Sequence, residues 1–267
     1  NRYVAVGDRG DVLVSGDGKE WTQMAVPVRA ALTAVTFSDP QNGWAVGHDA
    51  AIVHTKDGGK TWELQNFEPA LEKPFMDVLF LDGQHGFAVG AYGLLRETAD
   101  AGASWHDVDA PAIRGEELHF NGITKLTSGD LFIAGEQGML GLSTDQGKTW
   151  KKLASPYDST FFGALPFGPK GALVYGLRGN VYMNPDVRAG KWQKVDTGTV
   201  ASMFGGTVLA DGQFALVGLN GVVLLVNPQG GVKMLQAAAG TPLSGALPFG
   251  DGLLVVGESG VQSVVLK

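Results

Sequence analysis

The apolar residues of this chain fall in short, strand-sized runs punctuated by glycine. Val4-Ala5-Val6 runs into Gly7 and Trp44-Ala45-Val46 into Gly47, and in each case a second apolar run follows after a brief break. Upstream of such a pair lies a stretch like Leu32-Thr33-Ala34-Val35-Thr36-Phe37, which alternates along its length and is rich in β-branched residues. Alternation and β-branching predict strands, and Asp39-Pro40-Gln41-Asn42-Gly43 predicts a tight turn between two of them. Helical periodicity is absent throughout, and no apolar run approaches the ~18 residues of a membrane-spanning helix.

The pattern recurs at a fixed interval. Gly-x-x-Gly stands at Gly7/Gly10, Gly90/Gly93, Gly135/Gly138, Gly176/Gly179, Gly218/Gly221 and Gly257/Gly260, while Gly47-His48-Asp49-Ala50 keeps only its first glycine. The first glycines lie 40, 43, 45, 41, 42 and 39 residues apart, and a four-stranded blade takes ~40–45 residues. We therefore expect an all-β, seven-bladed β-propeller in a single domain, with repeats near 1–29, 30–72, 73–117, 118–158, 159–199, 200–240 and 241–267. The first repeat opens on its second strand and the last stops after its third, so the first and last blades are incomplete and 26 strands are expected. Either the first strand of the first blade lies upstream of Asn1, which is the expectation because the innermost strand is the one a ring can least spare, or that blade is three-stranded at the axis.

A second signature follows the third strand of several repeats: Ser/Thr-x-Asp-x-Gly-x-Thr/Ser-Trp. It reads Thr55-Lys56-Asp57-Gly58-Gly59-Lys60-Thr61-Trp62, then Thr98 to Trp105 around Asp100, then Ser143 to Trp150 around Asp145. The first repeat has a shorter version with Asp17 and Trp21, and the fifth a degraded one, Asn184-Pro185-Asp186 with Trp192. The chemistry is that of a tight hairpin: Asp accepts from backbone N–H groups further on, Gly supplies a left-handed residue, and the hydroxyls close the turn. Trp adds a large apolar body to bury. One carboxylate per copy falls short of the 6–8 oxygens that calcium takes, so the turn is read as structural.

Composition narrows the task. Glycine accounts for 40 of 267 residues, cysteine is absent, and the net charge is −7. Thiolate chemistry and Cys-ligated zinc drop out, and a nucleic-acid footprint is disfavoured. His48, His54, His85, His106 and His119 occupy no fixed repeat position, so no metal site and no cofactor are expected. The Gly-x-x-Gly pairs run strand to strand, unlike phosphate loops, which lead into a helix.

The Ser/Thr-x-Asp-x-Gly-x-Thr-Trp turn resembles the Asp-box, or bacterial neuraminidase repeat. Together with Trp44-Ala45-Val46-Gly47 it is similar to the photosystem II assembly (stability) factor-like family, most specifically over residues 1 to 150. That resemblance implies a seven-bladed propeller exported to the thylakoid lumen or periplasm, where it assists assembly of a membrane complex. For relatives in non-photosynthetic bacteria it implies an association with the envelope or with membrane transport. Family members carry an arginine-rich patch on one face, and only Arg9 and Arg178 stand at matching repeat positions here.

The hairpin tips between second and third strands vary most from repeat to repeat: Asp8-Arg9, His48-Asp49, Ala91-Tyr92, Glu136-Gln137, Leu177-Arg178, Leu219-Asn220 and Glu258-Ser259. They read either as a recognition surface on a rigid scaffold or as solvated turns that tolerate anything. With the longer connections they nominate Arg9, Arg29, His48, Tyr92, Arg114, Glu136, Arg178 and Asn220 as partner-contacting residues. Acids are interspersed (Asp8, Asp49, Glu68, Glu72, Asp109, Glu116, Glu117), and mixed charge suits a protein partner better than a polyanion. A further row, Leu32, Phe75, Phe120, Phe161, Met203 and Leu243, reads as inter-blade packing or as an apolar mouth for a lipid-like ligand.

The expected function is a non-enzymatic scaffold: a monomer that docks a membrane-associated protein and acts as an exported, periplasmic accessory factor, with cytoplasmic residence as the other location. The alternatives are a glycoside hydrolase of sialidase type and a binder of a lipid-like small molecule. Sialidase chemistry needs three arginines on one carboxylate and a Tyr–Glu pair, and the seven arginines here are scattered in sequence.

Overall fold

A computed structural model describes residues 2–266. Among them, 26 strands form seven antiparallel sheets: a three-stranded sheet first, five of four strands, and a three-stranded sheet last. The architecture is an all-β, seven-bladed β-propeller, and the one α-helix among the described residues is the single turn Pro111–Arg114. The chain groups into two compact units, one up to Ile123 and one from Thr124 onward.

In the first unit the opening sheet comprises Tyr3–Val6, Val12–Ser15 and Thr22–Met24. The second comprises Leu32–Phe37, Gly43–Gly47, Ile52–Thr55 and Glu63–Asn66. Both faces of its middle strands are covered, which is why they read as unbroken apolar runs rather than as alternating ones. Ala45, Ala51 and Val53 pack with Val12, Val28, Leu32 and Trp62. The opposite parity, Trp44, Val46 and Ile52, packs with Phe75, Val78, Phe80 and Ala88 of the third sheet. The second unit repeats this logic: Phe132, Ala134 and Leu140 meet Phe161, Ala172 and Val174, and Leu173, Tyr175 and Val181 meet Met203, Phe214 and Leu216. Each fully buried Leu, Ile or Phe contributes about 1.5–3 kcal/mol through the apolar surface it removes from water.

The row of bulky residues at the start of the first strands belongs to this packing. Leu32, Phe75, Phe120, Phe161, Met203 and Leu243 are all buried. In five sheets the register slips by one residue immediately after that position, between Leu32 and Ala34 and likewise at Phe75/Asp77, Phe161/Gly163, Met203/Gly205 and Leu243/Gly245. Opposite the bulge stands the first glycine of the hairpin motif, and the structure shows why no larger residue fits. A Cβ on Gly47, Gly90, Gly176, Gly218 or Gly257 would lie 2.0–2.2 Å from the carbonyl oxygen of the residue preceding that first strand. The same carbonyl accepts a hydrogen bond from the next hairpin residue, as in His48 N–H to Ala31 O at 2.8 Å and Leu219 N–H to Ser202 O at 2.9 Å. Gly7 has nothing within 4 Å of its would-be Cβ, because the first sheet has no strand at that position.

Candidate functional site

The two ends of the sheets differ in how their side chains are employed. At the end carrying the Asp-box turns, the Asp and Ser/Thr side chains of the motif are engaged by the turn itself. Asp57 accepts from Lys60 N–H (3.0 Å), Thr61 N–H (2.9 Å) and Thr61 Oγ1–H (2.7 Å), while Thr55 Oγ1 accepts from Gly59 N–H at 2.8 Å. Asp100 and Asp145 repeat the arrangement with Ser104 and Thr149. Hydrogen bonds from the Thr61 hydroxyl and backbone hold the Asp57 carboxyl down at about 2, and those from Ser104 do the same for Asp100. Both oxygens of each carboxylate accept hydrogen bonds from donors within the turn. Trp62 and Trp150 are buried and donate Nε1–H to Gly59 O and Gly147 O, both at 3.0 Å, whereas Trp21 and Trp105 are half-buried. The degraded copy keeps half of the device: Asp186 accepts from Arg188 N–H at 3.0 Å, and Arg188 reaches Asp130 at 2.6 Å.

At the opposite end of six of the seven sheets stands a near-identical 3-10 turn: Asp8–Gly10, His48–Ala50, Ala91–Gly93, Glu136–Gly138, Leu177–Gly179 and Leu219–Gly221. In each the middle residue is left-handed: Arg9 (φ 58), Asp49 (57), Tyr92 (54), Gln137 (50), Arg178 (55) and Asn220 (58). The second glycine is left-handed too, and in the second sheet Ala50 takes that conformation at φ 50. The seventh tip is a plain two-residue hairpin closed by the Gly257–Gly260 pair. Left-handed backbone suits Asp49 and Asn220 but costs roughly 1–2 kcal/mol at an ordinary L-residue, so Arg9, Tyr92, Gln137 and Arg178 occupy the apex at the expense of stability.

Of the nominated residues, Arg9, Arg29, His48, Tyr92, Arg178 and Asn220 are exposed, and Arg114 and Glu136 are half-buried. At two tips the nominated residue is not the apex: His48 and Glu136 precede the left-handed positions, which Asp49 and Gln137 fill. The structure sets the Arg114 stem against the hairpin that carries Tyr92: a methyl group at Gly93 would sit 3.6 Å from Arg114 Cγ. Arg178 borders an open concavity of about 790 Å³ with Asn180, Lys194, Thr197 and the exposed Val200.

The arginines divide the same way. Arg2 donates to Asp57 O and Gly58 O, and Arg96 joins Glu68 (2.5 Å) and Asp107 (3.2 Å) in a network not apparent from sequence. Arg188 is tied to Asp130, as above. Among the described residues, Arg9, Arg29, Arg114 and Arg178 have no carboxylate partner, although Arg114 donates to Val108 O at 2.9 Å. The structural arginines are thus separated from those of the tips and connections.

Comparison with known proteins assigns the chain to a family. A family model described as photosynthesis system II assembly factor YCF48 matches residues 14–72 and 65–229. The chain belongs to that family. The photosystem II stability/assembly factor HCF136 of Cyanidioschyzon merolae is 42% identical over 53 residues, 19% of this chain and 12% of that protein. The photosystem II assembly protein Ycf48 of Thermosynechococcus vestitus is 38% identical over 47 residues, 18% of this chain and 14% of its own length. The matched segments therefore span only a small part of these curated relatives. A solved structure of YCF48 bound to D1 peptide superposes with a TM-score of 0.77 at 16% identity, covering 100% of this chain and 89% of the other, which speaks to the shared fold.

Proposed function

We propose that this YCF48-family chain is a non-enzymatic scaffold that docks a protein partner on its hairpin tips during assembly of a membrane or envelope complex. The observation that carries this reading is the division of the arginines. Those at the Asp-box end and within the sheets are bonded internally, whereas Arg9, Arg29, Arg114 and Arg178, on the tips and their connections, have no carboxylate partner. Side chains held at an apex that stability alone would give to Gly, Asn or Asp point the same way. A YCF48 relative has been captured with a peptide bound, which supports a polypeptide as the ligand class. The hydrolase alternative lacks support: three of the seven arginines are engaged in structural bonds, and the named relatives are assembly factors.

An exported location belongs to the same proposal and rests on the family resemblance; fractionation of cells expressing the full gene tests it. The docking reading is tested by crosslinking in cells followed by mass spectrometry. The double variant Arg9→Glu/Arg178→Glu is expected to lose the captured partner while melting within a degree or so of the parent. Undiminished capture would refute docking at the tips.

A further inference from the structure

Tyr92 is the one aromatic residue among the six left-handed apex positions, and about half of it is open to solvent at 49% exposure. A bulky side chain at φ 54 is an outlier that packing does not demand, since the equivalent position holds Asp49 in the second sheet and Asn220 in the sixth. The ring is nonetheless held in place. His119 meets it edge-on, with centroids 4.7 Å apart at 80°, and Gly93 N–H donates to Leu118 O at 2.9 Å, fastening the tip to the 107–118 connection. Lys73 Nζ lies 5.9 Å from the ring centroid, and the Arg114 stem runs beside Gly93. Neither Lys73 nor Arg114 has a carboxylate partner among the described residues. All of these groups lie within the first unit.

A half-exposed aromatic with Lys73 over its ring and the Arg114 stem against its hairpin, neither cation bonded to a carboxylate, has the composition of an interface hot spot. The cation beside the ring gains strength when water is excluded, and the partner group that completes the pair is an anion. Glu72, Glu116 and Glu117 stand exposed on the neighbouring connections and would repel a run of acidic residues. We propose, building on the docking reading above, that Tyr92, Lys73 and Arg114 form the anchor for a protein segment that presents an apolar side chain beside a single carboxylate, with basic or neutral residues around it. The ring takes the apolar group, the two cations take the carboxylate, and the acidic rim selects against polyanions.

The probe is a phage-displayed library of random peptides about a dozen residues long, selected on the 267-residue protein and counter-selected on Tyr92→Asn. Asn tolerates the left-handed apex, so that variant is expected to melt at the same temperature as the parent or higher. Enriched peptides are expected to carry Asp or Glu within two or so positions of Leu, Ile, Phe or Trp. Their affinity is expected to fall about tenfold or more with Tyr92→Asn and with Lys73→Glu/Arg114→Glu, and to survive Tyr92→Phe. Three results overturn the assignment: no Tyr92-dependent enrichment, enrichment without a carboxylate, or enriched peptides that bind Tyr92→Asn as well as the parent. If such peptides still lose binding with Arg9→Glu/Arg178→Glu, docking at the hairpin tips stands and only this anchor fails.

Discussion

The clearest quantitative consequence of the fold concerns Asp77, which stands where the other first strands have Ala34, Gly122, Gly163, Gly205 or Gly245. Its carboxyl accepts from Val78 N–H at 2.8 Å and Ile123 N–H at 2.9 Å, but no cation pairs with it, and although some of its surface remains accessible, desolvation raises it from 3.8 to about 6. Because the folded value exceeds the unfolded one, its contribution to stability is fully present below 3.8 and is lost as the pH rises through about 6. The gap corresponds to about 3 kcal/mol at ~1.4 kcal/mol per pH unit. In Asp77→Asn one N–H donor faces an amide NH2, a constant penalty of about 1–3 kcal/mol, but the pH-dependent part disappears. Urea unfolding of both proteins at several pH values between 4 and 7 measures it. The stability difference between parent and variant is expected to move by about 2–3 kcal/mol across that range, in favour of the variant at pH 7. A difference that stays constant with pH would refute the assignment of Asp77 as an uncompensated, desolvated acid.

Other consequences follow from the same geometry. Gly90→Ala places a Cβ 2.2 Å from Pro74 O and is expected to destabilise by about 2–3 kcal/mol in denaturant melts, whereas Gly7→Ala, with nothing within 4 Å, is expected to stay within about 0.5 kcal/mol. Thr55→Val leaves the Gly59 N–H of a buried Asp-box without its acceptor and is expected to cost about 1–3 kcal/mol by the same assay. Burial holds His54 below 6.5, so its contribution is complete above 6.5 and declines as the pH falls through the folded value; His54→Gln is expected to flatten that limb of the stability profile. Asp57, Asp82 and Asp100, held at about 2, act lower down: their contribution is present above 3.8 and lost as the pH falls through about 2, which acid titration followed by circular dichroism detects.

The repeat was legible because two backbone constraints recur at each turn of the pattern: a glycine that lets a carbonyl approach, and an Asp that caps a hairpin. Both select residue types at fixed spacing, and seven sheets with 26 strands follow from them. The apex of each hairpin was legible only in part. His48 and Glu136 were nominated in place of Asp49 and Gln137, although the residue just before the second glycine, or Ala50, is always the left-handed one. The engagement of Arg96 with Glu68 and Asp107 joins positions 28 and 11 residues apart, a pairing that no local pattern announces. Asp77 breaks a run of small residues at its repeat position, but its two N–H donors, one of them 46 residues away, appear only in the folded chain.

The division of labour between the two ends of the sheets is the claim on which the functional account rests, and site-specific photocrosslinking tests it most directly. A photoreactive amino acid is placed singly at Tyr92 or Asn220 on hairpin tips and at Lys60 or Lys148 on Asp-box turns, and adducts formed in cells are quantified. The account predicts one shared protein adduct from the tip positions and none from the Asp-box positions. Equal or stronger crosslinking of the same protein from Lys60 and Lys148 would contradict it.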